Sequence, residues 1–221
     1  MFVVQGQVIA DFGGRRLQMS RTMTVVRDGE ALTLVNTLRL DDAGLAALDA
    51  LGAVQNIVKL GSFHGRDDAF YVRRYSVRVW SLPRMPHERG VVTDVEMRAG
   101  APGPCDGSEV FVYETSETSE GLLLLERDGG VVISCDSLQN WTGPDEWFDE
   151  ATATLMESQG FFLPANIGPG WLAAGKPQRS DFDRLRALSF RHLISAHGAP
   201  LLNDAAAAVR GTIDVKLRDR D

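Results

Sequence analysis

The chain has 221 residues, a formal net charge of -7 and a hydrophobic fraction of 44%. A chain this long buries about 70% of its unfolded surface and needs no staple, so collagenous, low-complexity and wholly disordered classes are excluded. Its acidic balance disfavours a phosphate backbone as partner, and its longest apolar runs fall far short of the ~20 residues of a membrane helix.

The first residues, MFVVQGQVIADFGG, lack the basic start and long apolar run of a secretory signal. β-type runs at 2–9 and 19–26 flank Asp11-Phe12-Gly13-Gly14, and 31–38 alternates like a strand. Asp41 and Asp42 are placed to cap a helix over 43–51, with Leu45, Leu48 and Leu51 on one side and Gly52 at its end. Residues 54–60 read as a mostly buried strand running into Gly61-Ser62-Phe63-His64. Strands are expected at 75–80, 91–97 and 110–113, and a hairpin pairs 121–126 with 131–135 across Arg127-Asp128-Gly129-Gly130. Helices are expected at 145–158 and 181–188, a strand at 192–196 and a helix at 201–209; the Pro- and Gly-rich stretch 163–179 reads as a loop. The pattern predicts one layered α/β domain over 1–221. Cys105 and Cys135 make neither a disulfide framework nor a CxxC pair, so a reducing cytoplasm is expected.

Three apolar strands end alike. The first runs into a loop with His64, Arg66, Asp67 and Asp68; the second ends at Asp136; the third ends at His197-Gly198. Open α/β layers place ligands at such strand ends, and imidazoles with carboxylates there are the usual material of a divalent-metal site. No GxSxG motif, phosphate loop or dinucleotide fingerprint is present.

This order of features resembles the metallo-β-lactamase-fold family over nearly the whole chain. Residues 31–38 look like the family's LxLVDT strand, with Asn36 where Asp is usual. Residues 62–69 (SFHGRDDA) fall where HxHxDH belongs, Ser134-Cys135-Asp136-Ser137-Leu138 resembles the GDxL segment, and Ser195-Ala196-His197-Gly198 resembles the closing SHG segment. With His64 on the first histidine, Asp68 falls on the motif's Asp, Arg66 replaces the second histidine and Ala69 the last. The acidic segment 114–121 sits where the family has GHTxG, and Glu117 is the first choice for that histidine's position, ahead of Glu114 and Glu120.

The resemblance implies a four-layer αβ/βα sandwich and a ligand set of His64, Asp68, Glu117, Asp136 and His197. Two ligand positions are lost, so a dinuclear centre is not expected. One divalent metal on Asp68, Asp136 and His197 is physically sound. A carboxylate-rich set shifts the choice from zinc towards manganese or iron. Asp68 or Glu117 would orient water or act as base in hydrolysis of a small ester, thioester, amide or phosphoester. The alternative is a non-catalytic binding or scaffold module without metal, with the Arg66 guanidinium clamped by Asp136 or Glu117. Cys135 reads as a small core residue. Trp141 and Trp171 read first as anchors for the helices and second as pocket walls.

Overall fold

The computed structural model describes residues 1–218. Strands β1 (Phe2–Phe12) and β2 (Arg15–Asp28) form a long hairpin. Strand β3 (Ala31–Val35) follows, then helix α1 (Asp42–Leu51), β4 (Ala53–Lys59), α2 (Asp68–Tyr75), β5 (Arg78–Ser81) and β6 (Val95–Glu96). These six strands make one sheet in the order β1-β2-β3-β4-β5-β6. Strands β7 (Ser108–Val112), β8 (Gly121–Leu125), β9 (Val131–Ser134) and β12 (His192–Ser195) make a second, ordered β12-β9-β8-β7. Between β9 and β12 lie a two-stranded pair, β10 (Leu138–Gln139) and β11 (Asn166–Ile167), and helices α3 (Glu150–Ser158), α4 (Pro169–Gly175) and α5 (Arg179–Ala187). Helix α6 (Ala205–Lys216) closes the described chain.

Strand alternation sorts side chains between layers. Leu123, Leu125, Val131, Ile133 and Ile194 of the second sheet meet Val26, Val35 and Val58 of the first in a core between the sheets. The opposite parity, Leu122, Val132 and Leu193, packs under α5 and α6. On the far side Leu32, Leu34 and Ile57 pack under α1 and α2. The result is helix, sheet, sheet, helix, the four-layer sandwich expected.

Several elements differ from expectation for local reasons. Helix α2 lies between the loop that carries His64 and the strand expected at 75–80, where no helix is expected. The 163–179 stretch contains α4, which Pro169 begins without losing a needed N–H. Helix α3 starts at Glu150 because Asp149 caps it, accepting from Thr152 N at 2.7 Å. Helix α6 shares 205–209 with the expected helix but starts later and runs further, over Ala205–Lys216: Leu201 is engaged by backbone bonds to Leu193, and the apolar spacing Val209, Ile213, Leu217 carries the helix on. The strand at 91–97 shrinks to two residues, since Asp94 turns its carboxylate onto Val79 N.

The cap of α1 is as expected, with Asp41 accepting from Gly44 N at 2.8 Å. Asp41→Ala should therefore cost about 1 kcal/mol and lower Tm by about 2–4 °C in thermal denaturation.

Candidate metal centre

Parallel pairing builds the centre. β12 runs beside β9 with Ser195 opposite Ser134, so two residues further on His197 arrives beside Asp136. Ser195 fixes the turn, its hydroxyl donating to Leu138 O at 2.6 Å and accepting from His197 N at 3.0 Å. Asn36, in the left-handed region at φ 57°, which Asn tolerates, donates from Nδ2 to Ser134 O at 2.8 Å. It thereby ties β3 to the end of β9. The third strand end is β4, whose loop bridges Gly61 to Glu120 and then delivers His64.

The side chains converge. His64 Nε2 lies 3.1 Å from His197 Nε2, His197 Nε2 lies 3.0 Å from Asp136 Oδ1, and His64 Nε2 lies 3.4 Å from Asp136 Oδ2. The edges of a tetrahedron around an ion with bonds of about 2.0–2.1 Å are about 3.3 Å. The three donors thus stand at metal-ligand separations. Cys135 Sγ joins them at 3.3 Å from Asp136 Oδ2, and ligand atoms of His64, Cys135 and Asp136 all lie within 4.8 Å of one another. The rings are oriented by packing: His197 lies 4.5 Å from the Trp141 ring and edge-on to His64, while both Nδ1 atoms are buried without a partner among the described residues.

Protonation also suits a cation. Burial, and then the Arg21 guanidinium, lower the His64 pKa to about 4, so its imidazole is neutral near pH 7. Burial alone would raise Asp136, but the two imidazoles hold it well below the usual carboxylate range. Burial pushes the Cys135 thiol well up, reinforced by Asp136 and Glu120; a bound cation would reverse that.

The other expected ligands lie elsewhere. Asp68 starts α2 and turns away, Oδ1 accepting from Thr37 Oγ1 at 2.6 Å. Its Oδ2 and Lys59 Nζ crowd the same point over Gly65, 2.8 and 2.7 Å from where a Cβ would stand. Glu117 is exposed and ion-paired to Lys176 Nζ at 2.9 Å. The carboxylate that reaches the centre from the acidic segment is Glu120, whose Oε1 accepts from Asp136 N and Ser137 N at 2.8 and 2.7 Å. Burial, then Asp136, raise its pKa well above the usual value, and its Oε2 has no partner among the described residues. Glu120 braces Asp136 rather than completing a ligand set with it. Arg66 donates to the Ile9 carbonyl, and among the described residues no ion pair links it to Asp136 or Glu117. The buried guanidinium beside the centre belongs to Arg21, only 4% exposed.

A cavity of about 490 Å³ opens over His64, Asp136 and His197. The β1–β2 hairpin forms one wall, and Trp141, Phe161 and Trp171 another. Both roles expected of the tryptophans are seen: Trp171, 1% exposed, is a core anchor, and both rings line the cavity.

No family model matches the chain, and no curated protein sequence matches it. Solved structures do. The DIM-1 metallo-β-lactamase exposed to ceftazidime superposes with a TM-score of 0.58 at 12% identity, covering 96% of this chain and 93% of that one. The metallo-β-lactamase of Erythrobacter litoralis gives 0.52 at 13% identity over 96% and 88%. A β-lactamase of Chitinophaga pinensis gives 0.51 at 13% identity over 92% and 88%. The chain has the metallo-β-lactamase fold.

Proposed function

We propose that the protein holds one divalent ion through His64, Asp136 and His197 and hydrolyses a small ester, thioester, amide or phosphoester in the cavity above it. The observation that carries this reading is the convergence, at the ends of three strands, of two imidazole Nε2 atoms 3.1 Å apart with one carboxylate whose Oδ1 lies 3.0 Å from His197 and whose Oδ2 lies 3.4 Å from His64. An ion there would supply Lewis-acid polarisation of a substrate oxygen. The chain's own residues fix its place: Asp136 is ionised, His64 is neutral, and Glu120 bonds hold the Asp136 backbone. Two imidazoles with a thiol close by make zinc a better match than the harder ions suggested by the sequence. Asp68 is not among the ligands of this reading, and neither Asp68 nor Glu117 acts as its base. Lys59 beside Asp68 disfavours a second ion there.

Chelator-stripped protein titrated with zinc should bind one equivalent, and saturation at 100 times Kd should stabilise it by about 2.7 kcal/mol. Asp136→Asn should weaken binding by more than about 100-fold, since even outer-shell partners are worth 10–100-fold. Asp68→Asn should leave the stoichiometry at one. Two equivalents, or none, would overturn the reading.

A second reading rests on Arg21. A buried guanidinium beside His64 can stand in for the ion, leaving a non-catalytic binding module. The cation is then Arg21 and not Arg66. This version predicts no zinc uptake and no chelator effect on Tm.

A further inference from the structure

We infer that Arg21 is the anchor of a carboxylate-bearing ligand with an apolar body, held in the cavity over the three strand ends. This goes beyond the proposed chemistry and does not depend on a bound ion.

Two donors of Arg21 are unmet. Arg21 is 4% exposed and lines the cavity, yet its Nε and Nη2 are buried without a hydrogen-bond partner among the described residues. A buried cation without a counter-charge costs several kcal/mol, and guanidinium is always ionised. Neither nearby carboxylate bonds the fork: Asp136 is held by His64 and His197, while Asp68, which feels both Lys59 and Arg21, accepts from Thr37 through Oδ1, has its pKa raised by burial and leaves Oδ2 without a partner among the described residues. Asp11 and Glu88, which also line the cavity, are exposed. Nε and Nη2 are neighbouring donors of one guanidinium, the fork that matches the two oxygens of a carboxylate.

The walls choose the rest of the ligand. At about 490 Å³ the cavity has the size of a small-molecule site. Met19, Leu17, Leu155, Met156 and Phe161 face it together with the two tryptophans. Such walls favour an aryl or alkyl body and penalise a doubly charged, strongly hydrated anion such as phosphate. Arg66 also lines the cavity, but it already donates to Ile9 O.

The test uses 4-phenylbutyrate and its neutral amide as probes, read by tryptophan fluorescence, with chelator present throughout one series. The acid should bind at least about tenfold more tightly than the amide, as a charge-assisted pair predicts. That ratio should survive chelation, survive Arg66→Gln, and fall to about one in Arg21→Gln. If Arg21→Gln does not fold, Arg21→Lys keeps the charge and loses the fork, and should cut the ratio severalfold. An unchanged ratio in the Arg21 variants would overturn the assignment, as would a ratio lost on chelation, which would put the carboxylate on an ion. Failure of both probes to bind, or inorganic phosphate binding as tightly as the acid, would overturn the ligand class. Loss of zinc uptake with the ratio intact would sink the metal reading alone.

Discussion

Gly198→Ala is expected to lower stability by about 3–5 kcal/mol and Tm by about 10 °C, and to abolish metal uptake. Gly198 follows His197 directly and lies in the left-handed region at φ 90°. A Cβ there would stand 2.2 Å from the carbonyl carbon and oxygen of Asn140 and 2.4 Å from Trp141 N. These are backbone atoms and cannot rotate away. They are also tied in place, because Asn140 N donates to His197 O at 2.9 Å and Asn140 Nδ2 donates to Ala199 O at 2.8 Å. Relief therefore requires moving the turn that carries His197. Gly14 separates the two parts of the cost. It has a φ of 79°, but a Cβ there meets nothing within 4 Å, so Gly14→Ala should cost only about 1–2 kcal/mol of backbone strain. Equal melting temperatures for the two variants would show that the close approach at Gly198 is not real.

The same turn explains what the sequence discloses and what it hides. Asp136 and His197 are legible because each ends a run of β-branched and aliphatic residues, and parallel neighbours with matched ends deliver side chains to one edge. His64 is legible for the same reason. The acidic segment is harder: it offers Glu114, Glu117 and Glu120 within seven residues. The discriminating signal is adjacency. Glu120 directly precedes the apolar run 121–125, whose first residue is held by the backbone bond from Gly121 N to Leu60 O, so it is carried inward with the strand. Glu117 lies in the turn before it and reaches solvent. Arg21 is hidden differently. It shares its parity along β2 with Met19, Met23 and Val25, which are all buried, so a charge on the apolar side of a strand marks a buried cation that alternation could have found. Lys59, next to Val58 and Leu60, carries the same kind of mark. Asp68 misleads because motif spacing places it on the loop, whereas the helix it begins turns it towards Thr37 and Lys59.

Acidification of chelator-stripped protein from pH 6.5 to about 4 is expected to remove about 3 kcal/mol of stability through His64. Burial, then Arg21, hold its folded pKa at about 4 against the usual 6.5. Between those values the unfolded chain binds a proton that the folded chain refuses, so stability falls as pH falls. Above pH 6.5 both states are neutral there and the contribution is complete. Glu120 and Asp68 act with the opposite sign. Burial raises both carboxyls, so the folded chain keeps protons that the unfolded chain has released, and stability falls as pH rises past their ordinary values of 4.5 and 3.8. Asp136, pushed down by the imidazoles, matters only as pH falls below 3.8. The wild-type profile is thus a sum of opposing slopes, and variants separate them. His64→Gln should lose the acid-side decline between pH 6.5 and 4 and leave a curve that falls as pH rises. Glu120→Gln should keep that decline and gain stability at pH 8 relative to wild type. Denaturant midpoints across this range read both effects. Parallel profiles for His64→Gln and wild type would mean that His64 takes up its proton as freely as an exposed histidine, and the dry, arginine-flanked pocket ascribed to it would be wrong.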